Sequence, residues 1–203
     1  MKNKLLPQLF IIYTRYLIGF AFVFASVKKI QGRRFTSVSG EENPINTSWH
    51  FFETLYQSGL YWKFIGVGQL IAGLLLMTQR YSKLGAVVFF PVIANVFVIT
   101  VSYDFNGTPI ITGLMLLANI MLLVWDWDTL KVLVDKEPNF PDVNRLESDT
   151  IWTLMGFAFL LIMMCVGFIK NGRDLLLLLI GILSVSIGGL ILGIKRHKKR
   201  AIQ

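Results

Sequence analysis

Six apolar runs, at residues 9–27, 60–78, 84–102, 109–125, 151–169 and 175–194, constrain this chain more than any other feature. Each is 17 to 20 residues long and free of Asp and Glu, and Arg15 and Lys63 are their only full charges. Crossing about 30 Å of hydrocarbon takes roughly 20 apolar residues of helix. An open strand would leave its peptide groups unpaired in lipid, so each run is expected to be a spanning α-helix. The expected class is an all-α membrane protein with about six spans. With 54% hydrophobic residues, the 203-residue chain is too apolar for an ordinary soluble domain.

The net charge of +8 sits in short blocks between the runs. Its natural partners are lipid headgroups, not nucleic acid. Run 9–27 is too long for a signal-peptide core and meets Lys28 and Lys29 instead of a cleavage site, so it is read as a retained first helix. With both termini inside, twelve basic residues face the cytoplasm: Lys2, Lys4, Arg80, Lys83, Lys131, Lys136, Arg145, Lys195, Arg196, Lys198, Lys199 and Arg200. Seven face outward: Lys28, Lys29, Arg33, Arg34, Lys63, Lys170 and Arg173. That excess predicts two cytoplasmic termini in a bacterial inner membrane.

Three short connections, at 79–82, 103–108 and 170–173, pair consecutive spans as antiparallel neighbours. Two are long. Within 28–59, the segment Ser48–Ser58 places Trp49, Phe52, Leu55 and Tyr56 on one helical face and His50, Glu53, Thr54 and Gln57 on the other. It is expected to be a short interfacial helix between spans one and two, ended by Gly59. The connection 128–150 carries Pro138 and Pro141 with mixed charge. These features divide the chain into a four-helix transmembrane bundle (1–128), a cytoplasmic linker (129–150) and a C-terminal two-helix hairpin with a basic tail (151–203).

Few residues offer chemistry. Arg15 lies within the first span, where an isolated charge costs about 2.5–3.5 kcal/mol. It either snorkels, pairs with a loop carboxylate such as Asp126, or anchors an anionic group. Gln69, Asn95 and Asn119 fall near the midplane of spans two, three and four. They either fasten helices together or form the polar floor of a ligand pocket. At the outer mouth, Lys28, Lys29, Arg33 and Arg34 are expected near His50, Glu53, Gln57 and Asp104. That patch suits headgroups, local salt bridges or an acidic partner subunit. His50 and Glu53, one turn apart, are also spaced for proton transfer. Trp125, Trp127, Tyr61 and Trp62 read as aromatic-belt anchors.

Other classes are disfavoured. Cys165 is alone, and the two histidines sit in segments expected on opposite sides, so neither a disulfide nor a metal site is expected. The spans lack the carboxylate that ion-coupled transport uses, and no catalytic motif appears. In the last run, Ser184 with Gly188 and Gly189 with Gly193 give small-xxx-small pairs. They permit close packing within the chain or in a homo-oligomer.

Several segments carry a family likeness. Arg15-Tyr16-Leu17-Ile18-Gly19-Phe20, Lys28-Lys29-Ile30 and Gly32-Arg33-Arg34-Phe35-Thr36 resemble the opening of DoxX-like membrane proteins. So do Phe51-Phe52-Glu53, Tyr61-Trp62, Gly66, Gln69 through Gly73, Leu76 to Arg80, Asn95 to Thr100 and Gly107-Thr108-Pro109. The likeness covers residues 10–134; Ala25-Ser26 stands where such proteins often have a Gly before the Lys. It implies a four-helix membrane core and a membrane subunit of quinone-linked redox or envelope-stress chemistry, and it favours a quinone or a lipid as the ligand of the amide layer. The alternatives are a non-enzymatic lipid or small-molecule binder or carrier, and a structural assembly partner.

Overall fold

The computed structural model describes residues 4–36, 38–139, 145–164 and 172–200. Its regular structure is helical: α1 Leu5–Ile30, α2 Ser48–Gln57, α3 Leu60–Met77, α4 Ser82–Ser102, α5 Thr108–Trp125, α6 Trp127–Leu130, α7 Thr150–Met164 and α8 Gly172–Arg200. Two 3-10 turns, Lys131–Val134 and Leu146–Ser148, interrupt the long connection. Five helices (α1, α3, α4, α5 and α8) are long and apolar enough to cross a membrane, which makes this a multi-pass all-α membrane protein. The fifth of the six expected spans is shorter among the described residues, as α7 is described over 15 residues. Cys165, the loop at 170–171, Pro141 and the end of that span lie outside the described residues.

The helix limits follow local chemistry. Pro7 sits in the first turn of α1, where its missing N–H has no helical partner to lose. The helix closes on Gly32, whose left-handed φ of 65° lets its N–H reach the Lys29 carbonyl at 3.0 Å. Thr47 caps α2 by accepting from the His50 N–H at 3.4 Å. Gly107 (φ 76°) precedes α5 and Pro109 lies in its first turn, where its missing N–H costs nothing.

α1 is the shared post of the bundle. One apolar cluster joins its Leu9, Ile12 and Tyr16 to Met77 of α3, to Leu146, and to Trp152, Met155 and Phe159 of α7. The other joins its Ile11, Ile18 and Phe22 to Ala72 and Leu76 of α3, Phe89 and Ile93 of α4, and Leu122 of α5. The α1–α3 crossing is close because both sides are glycine. A Cβ on Gly73 would lie 2.7 Å from the Gly19 carbonyl oxygen, and one on Gly19 would lie 2.9 Å from that of Gly73.

Packing corrects one expectation and decides between the two options of another. Trp62 is not a belt anchor: it is buried, with its indole N–H donated to the Arg33 carbonyl at 3.0 Å. Gly189 and Gly193 serve contacts within the chain, since a Cβ on Gly193 would approach Leu9 at 2.9 Å and Trp152 at 3.3 Å. The last helix therefore cannot offer that pair to a second copy. Gly188, with nothing within 4 Å, faces outward. Arg196 reaches Asp149 at 3.1 Å and Gly193 packs on Leu9, so α8 ends beside the starts of α7 and α1.

Candidate functional site

The densest polar arrangement lies at the end of the bundle where α1 starts. Arg15 is fully buried roughly 15 Å along α1. It does not snorkel. Its guanidinium donates to Asp126 Oδ2 at 2.7 Å, Glu147 Oε2 at 2.5 Å and Gln79 Oε1 at 3.2 Å. Arg145 completes the node, donating to Asp126 Oδ1 at 2.6 Å and Glu147 Oε1 at 3.3 Å. Two guanidiniums thus face two carboxylates, and the charge cancels.

The chain builds this node from four places. Asp126 follows the last turn of α5, and Gln79 follows α3 in a left-handed conformation (φ 59°) while its Nε2 holds the Ile12 carbonyl at 3.4 Å. A positive φ at a buried, bonded non-glycine residue shows that its neighbours fix it in place. Arg145 and Glu147 come from the long connection, which folds back into the bundle. Leu146 between them is buried, and its N–H donates to Gln8 Oε1 at 2.7 Å. The pairing of Arg15 with Asp126 was legible as one of its options. Gln8, Gln79, Arg145 and Glu147 were missed; asking what neutralises Arg15 was the signal that points to them.

At the opposite end the expected basic patch separates. Arg34 grips Glu53 with Nε at 2.8 Å and Nη2 at 2.8 Å, and stacks over Tyr56. The Gly40 N–H adds a third kind of bond to Glu53 at 3.1 Å. The Arg34 guanidinium holds the Glu53 carboxyl below the usual carboxylate range. Glu53 is buried, not on a solvent face, because Arg34 and Gly40 close over it. Its carboxylate is therefore taken by Arg34 and Gly40, and the expected His50–Glu53 proton pair does not form. His50 Nδ1 is buried without a partner.

Lys29 turns inward, donating to the Ala25 carbonyl at 3.1 Å and lying over the rings of Phe35 and Trp62. Lys28 and Arg33 remain exposed. Gln57 is exposed and donates to Glu41 at 2.6 Å. Asp104 is exposed in a left-handed turn, and among the described residues no ion pair joins it to the four cations. The 103–105 turn instead meets α2 through rings: Phe51 stacks on Tyr103 at 4.6 Å, and Phe52 meets Phe105 at 5.0 Å.

The three midplane amides do not share a pocket. Gln69 is buried with its Oε1 unpartnered. Asn119 is buried and donates to the Ala86 carbonyl at 3.2 Å, fastening α5 to α4. Asn95 lies on the outer side of α4 and is exposed, so it cannot line a pocket inside the bundle.

A cavity lies elsewhere, between α1, α7 and α8. It holds about 270 Å³ and is bordered by Tyr13, Tyr16, Leu17, Phe20, Phe159, Ile182 and Ser186. Its lining is almost wholly apolar. Each hydroxyl around it is already spent on a backbone carbonyl: Tyr13 on Ser186, Tyr16 on Trp152, and Ser186 on Ile182. Among the described residues no group of three His, Cys, Asp or Glu is placed to hold a metal ion.

The chain is 31% identical over 125 residues to the uncharacterized protein YwoB of Bacillus subtilis (strain 168), across 59% of this chain and 77% of YwoB. It belongs to the YwoB family. No family model and no solved structure matches it. The YwoB relationship thus fixes kinship, and the chemistry has to be argued from the side chains.

Proposed function

We propose that this YwoB-family protein is a non-enzymatic binder of lipid chains, using the cleft between α1, α7 and α8. The cleft carries the reading. It combines about 270 Å³ of space with an aromatic and aliphatic lining that has no uncommitted hydroxyl donor. An acyl or isoprenoid chain gains from such a wall by dispersion and needs no hydrogen bond. A quinone headgroup presents carbonyl acceptors, and leaving these unpaired in a dry site costs affinity. The cleft therefore favours hydrocarbon over quinone.

The protein is placed in a bacterial cytoplasmic membrane with both ends inside. The Bacillus relative supports the first part, and the twelve-to-seven excess of basic residues supports the second. The DoxX-like likeness of residues 10–134 is extended as a proposal of deeper kinship, resting on the segments quoted above.

The test is native mass spectrometry after gentle extraction. Wild type should retain a lipid, and Ile182→Trp, which fills the cleft, should lose it. A wild type that carries no lipid, or a variant that keeps it equally, refutes the reading. Retained quinone, lost in the same variant, would replace it with the quinone-linked role.

A further inference from the structure

α4 presents a polar group where a lipid-facing helix should have none. Asn95 lies in Ser82–Ser102, the 21-residue span, about 5 Å from its centre. It is exposed. Its face carries Leu84, Pro91, Val98 and Ser102 at helical spacing, all exposed and uncharged. Pro91 adds to the anomaly. Lacking an N–H, it leaves the Val87 carbonyl without its helical donor one turn before. The Asn95 side chain leans over the turn that begins at Pro91 itself. A carboxamide facing hydrocarbon seeks a hydrogen-bonding partner.

We propose that this face of α4 is the interface between two copies of the chain, paired about a two-fold axis along the membrane normal through Asn95. The occupant follows from complementarity. A carboxamide carries both a donor and an acceptor, so two Asn95 side chains facing across a two-fold satisfy each other and need no further polar group. A partner for this stripe must be apolar, uncharged and carry one amide at the same depth. A second α4 in parallel orientation is such a surface. Interfaces of this symmetry use the same patch on both subunits. Of the two small-residue pairs of the last helix, Gly189 and Gly193 are occupied within the chain by Met155, Leu9 and Trp152, while Ser184 and Gly188 stay open but offer no carboxamide to satisfy Asn95. This inference is independent of the α1–α7–α8 cleft.

Cysteine crosslinking in native membranes tests it, in a Cys165→Ser background. Val98→Cys, one turn from Asn95, should give a crosslinked dimer, and Leu114→Cys on the exposed side of α5 should not. Adding Asn95→Leu should weaken association in bilayers by about three- to thirtyfold, the range expected for losing an interhelical hydrogen bond in lipid. Asn95→Gln should retain most of it. At detergent dilutions where the wild type is monomeric, the leucine variant should match its melting temperature, because Asn95 is exposed; this separates loss of pairing from loss of fold. Three results overturn the proposal: only monomer from Val98→Cys, equal crosslinking with and without Asn95→Leu, or a Val98→Cys crosslink to a protein of different mass.

Discussion

Replacing Asp126 by alanine removes the more deeply buried of the two carboxylates that bridge both arginines of the node. Its two oxygens lie 2.7 Å from Arg15 and 2.6 Å from Arg145, and both Asp126 and Arg15 side chains are 1% exposed. Two positive and two negative groups cancel in the wild type. The variant leaves two guanidiniums sharing Glu147 alone, a net charge of +1 centred on the fully buried Arg15. Breaking a buried pair on one side costs about 3–5 kcal/mol, because the surviving charge keeps its desolvation penalty without its partner. Pairing the change with Arg15→Met restores neutrality, since Arg145 and Glu147 remain. The double variant should therefore lose less than the sum of the singles, with a coupling of about 2 kcal/mol. Reversible unfolding in mixed micelles measures all four species. A loss below about 1 kcal/mol for Asp126→Ala, the level of an exposed pair, would refute the buried-node argument, as would strict additivity.

Acid should loosen the α2 end of the bundle before the rest. The Arg34–Glu53 contribution is fully present above the ordinary glutamate value of about 4.3 and is lost as pH falls through the depressed folded value. Hydrogen exchange across residues 38–57 should accelerate on acidification, and Glu53→Gln should remove that pH response. Gly73→Ala should cost about 1–3 kcal/mol, because the added carbon meets the Gly19 carbonyl oxygen at 2.7 Å and Val23 at 2.8 Å. Gly68→Ala, with nothing within 4 Å, should stay within about 0.5 kcal/mol in the same melting assay. Leu146→Ala should cost about 2–5 kcal/mol by opening a void under the node. It should also expose residues 131–149 to protease.

The helices were legible because span length and charge exclusion are set by the bilayer, whatever the neighbours do. Even the short α2 was legible, from its cap and alternating faces. What periodicity cannot supply is the rotation of each helix about its axis. Gln69, Asn95 and Asn119 share a depth, yet two turn inward and one outward, and depth was all that spacing revealed. The node was hidden for another reason. Arg145 and Glu147 belong to a connection whose mixed charge reads as solvated linker. Only the demand that Arg15 be neutralised draws that segment into the bundle. The outer patch failed similarly: a run of four cations looks collective, but Arg34 and Lys29 each find a private partner.

The node and the cleft are parts of one construction. Between helices in lipid there is little hydrophobic force, so α7 and α8 must be held to α1 by close packing and hydrogen bonds. The bonds are visible in sequence. Glu147 ties the connection to Arg15, the Trp152 N–H donates to the Asp149 carbonyl at 3.0 Å, and Asp149 meets Arg196 at the end of α8. Tyr16 then reaches the Trp152 carbonyl, and Tyr13 the Ser186 carbonyl, from within the cleft wall. Charges at one end of the bundle thus set the spacing of the three helices that enclose the apolar space. Of the options the sequence left to Arg15, the structure takes the pairing with Asp126, and through Glu147 that pairing fastens the connection leading into α7 and the wall of the apolar cleft.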